Sequence, residues 1–210
     1  MLEQATALNI VLLPDEQTSN LTRVLSRQLA TRFNTEFRLD EEHLPHITVY
    51  QGYYPDRNLP QLKNGLLAFA AQQRFIEVSM RGFQIWGNTI VFWNCDRTPH
   101  LQTLHDGTLV IANPLREGLV PPNAAILTGL SNEDKDNLAK TGGVLNGPKY
   151  HPHVTISKLK DPNHGLNALG VIEGMSPQTM SFTADRLYLS TLSDHGTVSA
   201  IIEEFKFGEV

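Results

Sequence analysis

Two four-residue stretches carry the chemistry of this 210-residue chain: His46-Ile47-Thr48-Val49 and His153-Val154-Thr155-Ile156. In each, a histidine and a threonine alternate with β-branched apolar residues, and from position 46 to position 153 the histidines stand 107 residues apart. Successive side chains of a β-strand point to opposite faces. His46 and Thr48 therefore share one face while Ile47 and Val49 take the other, and His153 and Thr155 are divided from Val154 and Ile156 in the same way. If the two polar faces meet, the cleft between them holds two imidazoles that titrate near neutral pH and two hydroxyl donors. Such a site can take a proton from one oxygen and give one to another while the hydroxyls hold the charge between them. That is the chemistry of a phosphodiester.

A lone histidine on a strand is more often a structural hydrogen-bonder than a catalyst; the duplication tips the balance toward His46 and His153 acting as a catalytic pair. Thr48 and Thr155 alone would reflect only the β-propensity of threonine, but beside these histidines they are phosphate-binding candidates. Continued strand parity brings Tyr50 and Ser157 to the cleft face as substrate contacts, with plain surface positions as the alternative. Tyr53, Tyr54, Tyr150, Trp86 and Trp93 are candidates for stacking on a nucleobase, although most aromatics in a chain of this size are core. Lys149 and Lys158 flank the second motif, and parity turns Lys158 away from His153. His43-x-x-His46 and His151-x-His153 raise a zinc reading. A metal needs three or four convergent ligands, and Pro152 and the want of an acidic third ligand weigh against it; no metal and no cofactor is expected. His100, His105, His164 and His195 have no motif context and receive no role.

The elements that must position these strands are read from pattern. Residues 7–13 form a buried strand ended by Pro14, and Thr18 or Ser19 opens a helix on which Leu21, Val24, Leu25, Leu29 and Phe33 recur at helical spacing. The first motif strand covers 46–52, with 53–56 as a turn, and a second helical pattern covers 59–73. Residues 75–80 alternate as a half-buried strand, and 83–86 and 89–93 flank Gly87-Asn88, a two-residue hairpin turn. A helix over 99–112 has Pro99 in its first turn and is weakened by Gly107. The segment 115–130, broken by Pro121-Pro122-Asn123, fits no regular element and is a candidate for shaping the mouth of the cleft. Ser131 caps a short helix through Lys140 that Gly142-Gly143 end, residues 147–152 lead into the second motif strand, and 181–191 and 197–207 form a hairpin. Pro45 and Pro152 each precede a motif histidine, where a fixed φ and a missing N–H suit the first residues of a strand.

The fold class expected is α+β: two pseudo-symmetric lobes of antiparallel sheet with helices outside, around a central cleft carrying the two His-x-Thr strands. Residues 1–210 are read as a single two-lobed domain, long enough to bury a core without staples. A hydrophobic content of 40% with 19% charged residues is globular. The net charge of −5 argues against an extended nucleic-acid surface and leaves room for a local phosphate site. One cysteine, Cys95, excludes an intrachain disulfide and a Cys-x-x-Cys framework. No apolar run approaches a membrane span and no signal-peptide pattern opens the chain, so a soluble, unprocessed, cytoplasmic monomer is expected.

The paired Pro-His-x-Thr-apolar arrangement, Pro45 to Val49 and Pro152 to Ile156, resembles the 2H phosphoesterase superfamily, which includes 2′-5′ RNA ligase-like proteins and cyclic phosphodiesterases. The resemblance extends to 137–150, ahead of the second motif, and to the strand pattern around 184–189. It implies that one histidine takes a proton from an attacking water or ribose hydroxyl while the other protonates the departing oxygen, with Thr48 and Thr155 on the non-bridging oxygens. The partner implied is a small nucleotide or short RNA: a 2′,3′-cyclic phosphate, ADP-ribose cyclic phosphate, or a 2′,5′-linked or cyclic oligonucleotide. The reverse reaction would join RNA ends at the same site. Two rival readings are a non-catalytic nucleotide- or RNA-end-binding module with the same cleft, and a metallohydrolase using the clustered histidines.

Overall fold

The computed structural model describes residues 4–120, 129–175, 179–193 and 195–208. Residues 121–128, the middle of the 115–130 segment expected to shape the cleft mouth, lie outside the described residues, while its start belongs to a 3₁₀ turn, Asn113–Arg116. Eight strands form one antiparallel sheet: β1 (Ala5–Leu12), β2 (Ile47–Pro55), β3 (Ile76–Trp86), β4 (Ile90–Cys95), β5 (His153–Lys158), β6 (Thr179–Ala184), β7 (Arg186–Leu192) and β8 (Val198–Lys206). Their order across the sheet is β6-β3-β4-β5-β2-β1-β7-β8. The two motif strands, β2 and β5, are therefore the central pair, and each heads a four-stranded lobe. Helices α1 (Glu16–Arg32) and α5 (Gly165–Glu173) pack on the β5 lobe. Helices α2 (Leu59–Ala70) and α3 (Pro99–Ala112) pack on the β2 lobe, and α4 (Asn132–Thr141) precedes the second motif. This is the α+β architecture expected. No helix among the described residues is long and apolar enough to cross a membrane.

Local chemistry explains where the elements depart from their sequence patterns. The first helix starts earlier than Thr18, because Asp15 is its N-cap and accepts from the Thr18 N–H at 2.8 Å. Tyr53, Tyr54 and Pro55 are strand and not turn, since they pair with Ala7, Thr6 and Ala5. Residues 76–86 form one strand that shifts register between Met80 and Phe83, where Gly82 takes φ +55. The loop between the paired residues Trp86 and Ile90 is three residues long and not two, adding Thr89 to Gly87 and Asn88; Gly87 and Asn88 both have positive φ, 56 and 63, and the Thr89 N–H donates to the Trp86 carbonyl at 3.3 Å. Helix α5 escaped notice because it is nine residues long and includes Gly165 and Gly170; Gly165 is needed, since a Cβ there would sit 2.6 Å from the Asn88 carbonyl.

The stretch 181–191 is not one strand. It divides at Asp185 into β6, at one edge of the sheet, and β7, seventh in the order. A one-residue link between those positions requires the sheet to curl until its two edges approach. The approach is visible where the Gly208 N–H, just after β8, donates to the Gln73 carbonyl ahead of β3 at 3.0 Å. Leu8, Ile10, Leu12, Ile47, Trp93, Val154 and Ile156 are buried in the core that this curling encloses.

Candidate active site

A single register pair, Ile47 with Val154, joins β2 to β5. Extending that antiparallel register by one residue each way sets Thr48 across from His153 and Thr155 across from His46. The four polar residues thus form a block with histidines on one diagonal and threonines on the other, and all four line one cavity of about 230 Å³.

Both imidazoles are held by the same device. The Nδ1–H of His46 donates to the Leu44 carbonyl at 2.8 Å, and that of His153 to the His151 carbonyl at 2.6 Å. Each carbonyl belongs to the residue before a motif proline, whose fixed φ folds it back over the ring. A carbonyl only accepts, so each neutral ring carries its proton on Nδ1 and keeps the Nε2 lone pair for the cavity. Burial pushes both titrations down. His153 falls to about 4, burial being the main cause, with the charges of His151 and His46 adding to it and the His151 carbonyl opposing it. The Phe92 ring stacks on His153 at 3.7 Å between centroids.

Thr48 has a support that sequence reading missed. The Asn9 Nδ2 donates to Thr48 Oγ1 at 3.1 Å, occupying an acceptor site and leaving the hydroxyl hydrogen free to point into the cavity. Asn9 is fully buried. Its signal was a lone amide between Leu8 and Ile10 in an otherwise apolar buried strand.

Tyr50 and Ser157 do not reach the cavity, and the expectation from parity is corrected for both. The β1–β2 ladder passes from Ile10 opposite Tyr50 to Val11 opposite Thr48, leaving Val49 as an extra residue. The β4–β5 ladder passes from Val91 opposite Ser157 to Phe92 opposite Thr155, leaving Ile156 extra. Each motif strand thus carries a β-bulge immediately after its threonine, and a bulge inverts the alternation. Tyr50 and Ser157 are fully buried; the Tyr50 hydroxyl donates to the Thr141 carbonyl at 2.7 Å. Val49 and Gln51 line the cavity in place of Tyr50.

Among the aromatic candidates, Trp86 is 40% exposed on the cavity wall and stacks on Phe92 at 6.1 Å. Trp93 and Tyr54 are core, Tyr53 lines a separate cavity, and Tyr150 is buried with its hydroxyl on the Thr48 carbonyl. Lys149 is ion-paired with Asp134 at 2.7 Å and Lys158 with Glu36 at 2.9 Å. His43 Nδ1 meets the Thr197 hydroxyl at 2.7 Å and His151 Nε2 meets Asn94 Oδ1 at 3.0 Å. Among the described residues no three His, Cys, Asp or Glu side chains gather as a metal site.

Known proteins bear on this arrangement at two levels. The chain resembles the solved structure of TT0787 of Thermus thermophilus, 16% identical over 98% of this chain and 100% of that one, with a TM-score of 0.59. It also resembles Escherichia coli LigT in complexes with NADP+ (14% identity, 98% of this chain, 99% of that one, TM-score 0.52) and with 3′-AMP (13% identity, the same coverage, TM-score 0.53). At such identities the likeness is one of fold. No curated protein matches the sequence. The profile of the 2′-5′ RNA ligase superfamily matches residues 23–196, which include both motif strands and most of the sheet. By that match the chain belongs to the 2′-5′ RNA ligase superfamily.

Proposed function

We propose that the protein is a phosphodiesterase that needs no metal and hydrolyses a small RNA-derived diester by paired-histidine acid–base catalysis. The observation that carries this reading is the pair of carbonyl-locked imidazoles, each offering Nε2 to one cavity shared with Thr48 and Thr155. In the reaction one neutral ring takes the proton of a water or ribose hydroxyl as its oxygen bonds to phosphorus. The other, protonated, gives its proton to the oxygen whose bond to phosphorus breaks. Thr48 and Thr155 donate to the non-bridging oxygens, each charge-assisted bond contributing about 1.5–3 kcal/mol. Developing charge is then met by imidazolium and hydroxyls. The same steps reversed would form a 2′-5′ bond between RNA ends.

The candidate substrates are a 2′,3′-cyclic phosphate, ADP-ribose cyclic phosphate, and a 2′,5′-linked or cyclic oligonucleotide. Trp86, Phe92 and the imidazole of His153 form a ladder of rings along one wall, which favours a base or nucleoside on the β5 side of the phosphate. Crystal structures of E. coli LigT with phosphate, ATP and 3′-AMP agree with a ligand of that class. The test is a product assay on this panel with excess chelator, using wild type, His46→Ala and His153→Ala. Wild-type turnover falling roughly 10²–10⁴-fold in each variant is the expected result. Turnover abolished by the chelator, or undiminished in either variant, would sink the reading, and ligand binding without product would leave the same cleft as a binding module.

A further inference from the structure

The ladder between the two motif strands is one residue pair long, so the spacing of the reacting groups is not set by the sheet. Something else must set it. At the Val49 bulge two consecutive carbonyls of β2, those of Thr48 and Val49, each accept a hydrogen bond from a buried aromatic side chain. The Tyr150 hydroxyl donates to the Thr48 carbonyl at 3.1 Å, and the Nδ1–H of His105 donates to the Val49 carbonyl at 2.6 Å. The other ring nitrogen of His105, Nε2, accepts the Gly147 N–H at 2.7 Å. The His105 and Tyr150 rings lie nearly parallel, 6° apart with centroids at 4.1 Å, and both residues are buried, 0% and 4% exposed.

We propose that His105 is a positioning residue: a neutral imidazole wedge that, with Tyr150, fixes the first motif strand at its bulge to the loop that delivers the second motif. The inference rests on His46 and His153 being the reacting pair. The loop concerned runs from Gly143 to Tyr150, lines the cavity with Gly143, Val144, Leu145 and Asn146, and ends beside His151, whose carbonyl locks His153. Gly147 adopts φ +61 at the point of contact, a conformation that favours glycine. From α3 and the segment before it, Gln102 donates to the Gly147 carbonyl at 3.3 Å and Arg97 to the Pro148 carbonyl at 2.8 Å. With one nitrogen donating and the other accepting, His105 can serve only as the Nδ1–H tautomer; a second proton would eject the Gly147 N–H. Burial keeps that proton off, the Val49 carbonyl and Asp106 opposing and Arg97 helping; Lys149, the remaining charge on the loop, is engaged by Asp134. The helical stripe shared with Leu101, Leu104, Thr108 and Ala112 gave the only sequence sign, a histidine where an apolar residue was due.

The test compares wild type with His105→Phe, which keeps a ring and loses both hydrogen bonds, and His105→Asn, which restores a donor and an acceptor. For 2′,3′-cyclic AMP, kcat should fall roughly 10–100-fold in the Phe variant, in proportion to a displacement approaching an ångström, with KM changed less than about threefold and part of the loss recovered by Asn. In wild type, imidazole ¹⁵N spectra should show His105 as the Nδ1–H tautomer, unprotonated from about pH 6.5, the ordinary imidazole value, to 8. An unchanged kcat in a folded Phe variant, or a His105 that titrates in that range, overturns the proposal. If the Phe variant does not fold, Tyr150→Phe, which removes only the hydroxyl, carries the same kinetic comparison. If wild type turns over no diester, the cross-strand NOE between Ile47 and Val154 decides: retained in wild type and lost in His105→Phe it supports the wedge, unchanged in both it refutes it.

Discussion

At the scale of single residues the site rests on two nitrogens per ring doing different work. Because Nδ1 of both His46 and His153 is committed to a carbonyl, neither ring can swap tautomers without losing a hydrogen bond in a buried place. The same burial that isolates the rings also keeps them neutral: His153 titrates near 4, and His46 too is pushed below its ordinary value. An empty cleft near neutral pH therefore lacks the imidazolium that the proposed reaction needs. A bound phosphate would supply the missing stabilisation, since a negative charge within hydrogen-bond reach raises an imidazole pKa. Binding of inorganic sulfate, a tetrahedral dianion that does not itself titrate in this range, should thus take up protons, and its affinity should rise as pH is lowered from about 8 toward 5. Calorimetry in two buffers of different ionisation enthalpy measures the uptake directly. A proton stoichiometry of zero at pH 6 would show that the rings do not meet the anion.

At the scale of elements, the motif strands were legible because alternation in a β-branched run has one structural meaning, and the hairpin at Gly87-Asn88 because positive φ at both positions selects such residues. Parity failed two residues beyond each threonine because a bulge leaves no mark in an alternating pattern: Val49 and Ile156 look like any other core residue. The division at Asp185 was hidden likewise, since a chain that stays extended while changing partners keeps the pattern of one strand. Asn9 and His105 were passed over for a different reason. Their partners, Thr48, Val49 and Gly147, are 39, 56 and 42 residues away, and only the sheet brings them together. The bulge makes Tyr50 a test of this account. Tyr50→Phe removes one of two donors to the Thr141 carbonyl, the other being Asn146 Nδ2 at 3.1 Å, and leaves the cavity-lining residues in place. It should cost about 0.5–1.5 kcal/mol of stability, read as a fall of a few degrees in Tm, with kcat and KM unchanged. A specific loss of substrate affinity at unchanged Tm would return Tyr50 to the cleft.

The whole molecule pays for its central cleft in acid. His46, His105 and His153 are held neutral inside the fold, each titrating below the 6.5 of an ordinary imidazole, whereas the unfolded chain binds protons on all three as pH drops through that value. Between about pH 6.5 and 4 the unfolded state therefore carries more protons than the native state, and stability must fall as pH falls. The slope approaches about 1.4 kcal/mol per pH unit for each fully buried ring. The lowered carboxylates act elsewhere: Asp134, Asp161 and Asp185 sit below 3.8, so their contribution is lost only under more acid conditions, and solvent screening keeps it small. Two windows thus separate the histidines from the surface. Urea unfolding at pH 7, 6 and 5 should show the midpoint dropping steadily, and the double variant His46→Ala, His153→Ala should keep a shallower slope that belongs to His105 and to His151, which burial and then Arg97 also lower. A midpoint flat from pH 7 to 5 in wild type would mean that the rings are protonated in the native state, and the geometry of both the cleft and the wedge would have to be rebuilt around imidazolium.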